Sequence, residues 1–219
     1  MKVQDRHDIA NFLIDYPGMV TRPCRDNRIL LRGTFTFCAT PVAGSEICGA
    51  YELEIEVPAS FPRGVPKVKE LCQKIPRDGK HHVNHDDTLC LGSPLRLLKK
   101  IAECPTLPGF AEKCLVPFLY AVSKKLQGGG EFAFSELDHG EKGVVDDYME
   151  LFRLRSREEV LRALELAGMK RRIANKQPCP CQCGKRLGRC DFHHKLNQFQ
   201  GLVPRSWFKV HRKNLGAWV

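Results

Sequence analysis

The chain is expected to fold as an α+β domain, with helices segregated to one side of a small antiparallel sheet, followed by a short basic tail rich in cysteine. Three observations carry that expectation. Period-two alternation of apolar residues over 29–38 and 51–57 predicts amphipathic strands. Apolar residues three and four apart predict helices before and after those strands. Near residue 170 the charge and the cysteine usage change together. Strands grouped together and flanked by helices, with no strict alternation of the two, is the α+β pattern.

In chain order, Ile9, Phe12, Leu13 and Tyr16 predict a helix stopped by Pro17-Gly18. Ile29, Leu31, Gly33, Phe35 and Phe37 form the inner face of a strand. After a turn at Pro41–Ser45, Tyr51, Leu53, Ile55 and Val57 do the same, with Glu52, Glu54 and Glu56 facing out. Pro58, Pro62 and Pro66 punctuate the next stretch, and residues 67–71 predict a third strand. Residues 72–110 show little periodicity and read as a long loop, which inside a small domain is usually functional. Leu115, Phe118, Leu119, Val122 and Leu126 predict a helix closed by Gly128-Gly129-Gly130. Val144, Val145, Tyr148, Met149 and Phe152 predict another. Ser156 and Glu159 form a capping box ahead of Val160, Leu161 and Leu164, with Gly168 as C-cap. The division is expected between residues 1–169 and residues 170–219.

The 219 residues, 42% hydrophobic and 27% charged, can bury a proper core. No apolar run approaches the ~20 residues of a membrane span, and the polar start Met1–Arg6 predicts no secretory leader. The net charge of +10 is concentrated in residues 170–219, which hold twelve Lys and Arg against one acid, Asp191. The first 169 residues are therefore close to neutral, so the basic pI does not predict a protein that coats nucleic acid throughout. Seven cysteines (Cys24, Cys38, Cys48, Cys72, Cys90, Cys104, Cys114) are scattered and four (Cys179, Cys181, Cys183, Cys190) are clustered. An odd total without a leader predicts reduced thiols in the cytoplasm, the scattered seven serving as core residues by default.

One segment of the loop gathers chemistry. Residues 80–92 place Cys90 after His81, His82, Asn84, His85, Asp86 and Asp87. A nucleophilic cysteine needs a thiolate fraction, which imidazolium, Lys or backbone donors raise. Acyl transfer also needs a donor aimed at the developing oxyanion, for which Asn or His serves. The alternatives are a packed Cys between Leu89 and Leu91, or a metal site using the histidines.

Phe61-Pro62-Arg63-Gly64-Val65-Pro66-Lys67-Val68 resembles the Tyr-Pro-x-x-x-Pro-x-Val signature of ubiquitin-conjugating (UBC-fold) enzymes, and Thr88-Leu89-Cys90-Leu91 resembles the segment around their catalytic cysteine. The order of helix, meander, Pro-rich turn, Cys-bearing loop and C-terminal helices is also similar, over roughly residues 5–155. His82 stands eight residues before Cys90, where eukaryotic members carry Asn, and Asn84 stands six before it. The pattern His82-x-Asn84-x-Asp86-x-x-Leu89-Cys90 is closer to bacterial relatives, which often sit in antiphage defence operons beside a cyclic-oligonucleotide synthase. The segment from Phe134 to Asp138-His139-Gly140 resembles their His-Gly segment. The resemblance implies that Cys90 accepts the C-terminal acyl group of a partner protein, the synthase or a ubiquitin-like protein, as a thioester and passes it to an amine. It leaves the oxyanion donor open among His82, Asn84 and His139.

Four thiols and two imidazoles lie within residues 179–194, a donor set suited to a tetrahedral structural Zn²⁺. The segment resembles the SEC-C zinc motif, in which Cys179, Cys181 and Cys190 match the Cys-x-Cys…Cys spacing. Asp191 stands where the family has its adjacent ligand. His193 is the first choice for the fourth position, with His194 and Cys183 as alternatives. Trp207, Phe208 and Trp218 among the basic residues predict either packing that fastens the tail, or contact with a protein or nucleic acid. Two rivals to a conjugating enzyme remain: a non-catalytic adaptor of the same fold, and a cysteine hydrolase that removes a modifier.

Overall fold

In the computed structural model, the described residues are 3–23, 28–42, 44–128 and 140–216, and they form an α+β structure. The chain divides into two compact units, one of residues 1–92 and 100–136, the other of 93–99 and 137–219. The change in composition at residue 170 thus falls inside the second unit.

The first unit opens with α1 (Val3–Asp15). It buries Ile9 and Phe12, and Tyr16 just beyond it stacks on Phe35 at 4.2 Å. Four antiparallel strands follow in the order β1 (Met19–Arg22), β2 (Ile29–Ala39), β3 (Ile47–Val57) and β4 (Lys67–Glu70). Strand β2 buries Leu31, Phe35 and Phe37, and β3 buries Ile47, Tyr51, Leu53, Ile55 and Val57, so the period-two reading holds. Pairing runs from Ile29↔Val57 to Ala39↔Ile47, which starts β3 four residues before the expected Tyr51. Gly33 has φ +146°, and a Cβ there would lie 2.2 Å from the Gly18 carbonyl oxygen, so the β1–β2 approach requires glycine.

That register brings Cys38 opposite Cys48, and the two form a disulfide on the exposed face of the sheet. This corrects the expectation of reduced, buried thiols. Among the described residues, Cys114 is the one scattered cysteine that is buried; Cys72 is exposed, Cys90 and Cys104 are half-buried, and Cys24 lies outside the described residues.

The expected loop over 72–110 is shorter than its composition implied. Helix α2 (Pro94–Glu103) buries Leu95, Leu98 and Ile101, one face of a helix. Its first turns belong to the second unit and its last to the first. Thr106 then caps α3 (Leu107–Phe110), which continues through a π turn, Ala111–Leu115, into α4 (Val116–Leu126). The helix expected from Leu115 therefore begins eight residues earlier, with Pro108 in its first turn, where a missing N–H costs nothing.

In the second unit, α5 (Glu141–Phe152) and α6 (Arg157–Ala167) precede the short α7 (Arg171–Ala174), α8 (Phe192–Leu202) and α9 (Arg205–Gly216). Ser156 Oγ accepts the Glu159 N–H at 3.3 Å, as a capping box requires. The return bond from Glu159 goes to the Arg155 N–H at 2.7 Å, one residue outside the usual place. The tail packs into this unit. Phe152 meets Phe199 edge-on at 4.9 Å, Phe208 is fully buried, and Trp207 stacks on His211 at 4.4 Å. Those contacts are the packing alternative for Trp207 and Phe208; Trp218 lies outside the described residues. Among the described residues no helix is long and apolar enough to cross a membrane.

Candidate functional site: a half-buried cysteine and a four-thiol cluster

Cys90 sits at the end of a loop fastened to the sheet edge. Thr88 bridges Lys69 of β4, and the Leu89 N–H reaches the Val68 carbonyl at 2.8 Å. Val83 bridges Leu89, and both side chains are buried, so residues 83–89 form a small hairpin pinned beside β4. At its tip the Asn84 N–H donates to the Thr88 carbonyl, and Asn84 Nδ2 to Thr88 Oγ1 at 2.9 Å. Asp86 accepts from Thr88 Oγ1 at 2.5 Å, and that bond holds its carboxyl below the usual range. Arg77 braces the loop through the carbonyls of Glu70 and Asp87.

The Cys90 N–H donates to the His82 carbonyl at 2.7 Å. His82 adopts φ +55° at the end of the short 3-10 turn Gly79–His81, which turns that carbonyl toward Cys90. Two residues on, Gly92 at φ +139° directs its N–H at the Cys90 thiol. Burial still pushes the thiol up from its ordinary value, the Gly92 N–H opposing it. Desolvation disfavours the thiolate. Of the donors the sequence offers, the backbone supplies one, the Gly92 N–H. His82 approaches the cysteine through its backbone, the amide of Asn84 is bonded at the hairpin tip, and His139 lies outside the described residues.

The second constellation is built on a tight knuckle. The Cys179 N–H bonds to the Lys185 carbonyl at 2.9 Å, and Pro178 bridges Arg186. Gln182 and Gly184, both with positive φ, fold the intervening loop back on itself. Cys190 arrives from a 3-10 turn, Leu187–Arg189, just before α8. The four sulfurs of Cys179, Cys181, Cys183 and Cys190 all lie within 4.8 Å of one another, with 3.1 Å between Cys179 and Cys181 and 3.6 Å between Cys181 and Cys190. Metal–thiolate bonds of ~2.3 Å in a tetrahedron put sulfurs about 3.8 Å apart, so the cluster has the dimensions to hold a metal ion.

Backbone N–H groups support it. Those of Cys181, Cys183 and Lys185 point at the sulfurs of Cys179, Cys181 and Cys183 respectively, the outer-shell pattern that stabilises thiolate ligands. The Lys185 N–H draws the exposed Cys183 thiol down to about 7, whereas burial pushes Cys179 and Cys181 up. Cys183, and not His193, stands with the other three thiols in this cluster. His193 Nδ1 donates to the Cys190 carbonyl at 2.7 Å, its ring against that of His194. The signal that favours Cys183 is its spacing: Cys179, Cys181 and Cys183 alternate, and the two positive-φ residues in the turn allow the chain to present all three.

Comparison with protein families, with characterised proteins and with solved structures finds no match to this chain.

Proposed function

We propose that the chain is a thioester carrier of the ubiquitin-conjugating type, with Cys90 as nucleophile and a structural Zn²⁺ held by Cys179, Cys181, Cys183 and Cys190. The observation that carries the reading is the position of Cys90. It is half-buried, at the end of a hairpin pinned to the last strand of a four-stranded meander that follows one helix. The motif residues Phe61–Val68 run into that same strand.

In the proposed reaction the Cys90 sulfur attacks an acyl carbonyl already activated by another protein, and the activating group leaves with the electron pair of the broken bond. The thiol proton passes to solvent. A substrate amine then attacks the thioester and gives up a proton to solvent as the amide forms, and sulfur leaves as the thiolate. A carrier must hold its cargo between these steps, and a thiol whose pKa is raised is a poorer leaving group. The desolvated Cys90 suits that task better than it suits a hydrolase, whose nucleophile is activated by a lowered pKa. The Gly92 N–H, aimed at the sulfur, supplies a fixed dipole where charge develops.

The zinc assignment rests on donor chemistry. Four thiols at tetrahedral spacing with N–H groups directed at them need a cation that neutralises thiolate, and Zn²⁺ does so without redox change. The acyl donor is expected to be a protein with a free C-terminus.

The test is intact-mass analysis under non-reducing conditions of wild type and Cys90→Ala, each co-expressed with its genomic neighbours. A protein-sized adduct on wild type alone, released by thiol, is expected. If no adduct forms while a partner still co-purifies with Cys90→Ala, the chain is an adaptor. Accumulation of conjugates on loss of Cys90 would instead mark a hydrolase.

A further inference from the structure

The second unit holds a cleft of about 940 Å³ that neither the thioester chemistry nor the thiol cluster uses. It lies among the start of α2, the end of α5 with the turn after it, and α8. Its volume is in the range of small-molecule sites, roughly 300–1,000 Å³. Five cations line it, and one of them is accounted for: Arg96 is bonded to the buried Asp147, at 2.6 Å through Nε, and to Glu150 at 3.2 Å.

The carboxyl end of α5 attracts positive charge on its own account, because a helix C-terminus carries about half a negative charge. One lysine meets that demand: Lys195 Nζ donates to the Phe152 carbonyl at 3.1 Å. Lys99, Arg153 and Arg155 remain. All three are exposed, all line the same cleft, and none has a salt bridge among the described residues. Three like charges held around one concavity repel each other and are relieved by a polyanion rather than by a single carboxylate. Arginine forks suit phosphate oxygens in particular. The lining is also apolar in part, with buried Leu154 and Phe199 contributing.

We infer that this cleft binds a small organic phosphate of the nucleoside di- or triphosphate class, its phosphates on Lys99, Arg153 and Arg155 and its base against the apolar lining. The inference is independent of Cys90, which belongs to the other unit.

The test is isothermal titration of the full chain with ATP, pyrophosphate and a thymidine dodecamer. Wild type is compared with Lys99→Gln/Arg155→Gln and with Lys176→Gln/Lys213→Gln, two exposed cations that do not line the cleft. Since Lys99 and Arg155 make no side-chain bond among the described residues, the first variant is expected to melt at the wild-type temperature, which separates lost binding from lost folding. Saturable one-to-one ATP binding is expected, tighter than pyrophosphate. It should weaken about tenfold or more in the cleft variant, as removal of two charge-assisted contacts implies, and remain unchanged in the control. Four results would overturn the inference: no ATP binding, equal loss in both variants, equal affinity for pyrophosphate, or binding of the dodecamer alone.

Discussion

At the scale of single residues, the two cysteine sites show opposite electrostatics for a physical reason. Cys90 is desolvated and receives one N–H, whereas Cys179, Cys181 and Cys183 each receive an N–H and stand within bonding reach of a shared cation. Resemblance to the SEC-C motif matched Cys179, Cys181 and Cys190 and left the fourth position among His193, His194 and Cys183, with His193 first. The positive φ values at Gln182 and Gly184, which bring Cys183 into the group, are not legible in the residue types alone. Metal analysis of purified protein is expected to find one zinc per chain in wild type and in His193→Ala. Cys183→Ser should lose most of it, because a neutral hydroxyl replaces a thiolate. Retention in Cys183→Ser with loss in His193→Ala would restore the histidine as ligand.

At the scale of elements, strands β2 and β3 were legible because alternation is strong where one face is buried. Strand β1 was not: of Met19–Arg22 only Met19 is buried, so no alternation exists to read. Helix α2 was hidden because its apolar face follows a loop of Pro, Gly and His that dominates the composition. It also carries a buried polar network that periodicity does not reveal. Ser93 and Arg96 bond to Asp147, the Leu95 N–H donates to the Tyr148 hydroxyl at 3.2 Å, and that hydroxyl is paired with His211 Nε2 at 2.8 Å. Burial pushes His211 down from 6.5 to about 4. The unfolded chain therefore takes up this proton first as pH falls, and stability present above pH 6.5 is lost between about 6.5 and 4. Urea unfolding at pH 7 and pH 4.5 is expected to show a loss from this group on the order of 2 kcal/mol, allowing for the ring's partial exposure. His211→Gln, which keeps a hydrogen-bonding partner for Tyr148, should remove that increment. An equal pH dependence in the variant would mean that other groups carry it.

At the scale of the whole molecule, a change in composition and a change in packing fall at different places. The basic, cysteine-rich segment begins near residue 170, but α5 and α6 join it in one compact unit from residue 137, together with residues 93–99. Charge counting sees the surface, whereas Phe152, Phe199 and Phe208 decide what packs with what. Chelation of the proposed metal should therefore raise amide exchange through residues 177–190, which hold the four thiols, and leave the paired amides of β2 and β3 protected. Loss of protection in both regions would contradict a metal role confined to the second unit. The central claim, that Cys90 carries an acyl group on sulfur, is tested most directly by exchanging that sulfur for oxygen. Cys90→Ser, co-expressed as for the wild type, is expected to hold the same adduct as an ester that survives thiol and is released by alkali. An adduct that is unchanged in its thiol lability, or that maps by peptide mass to any other residue, would contradict it.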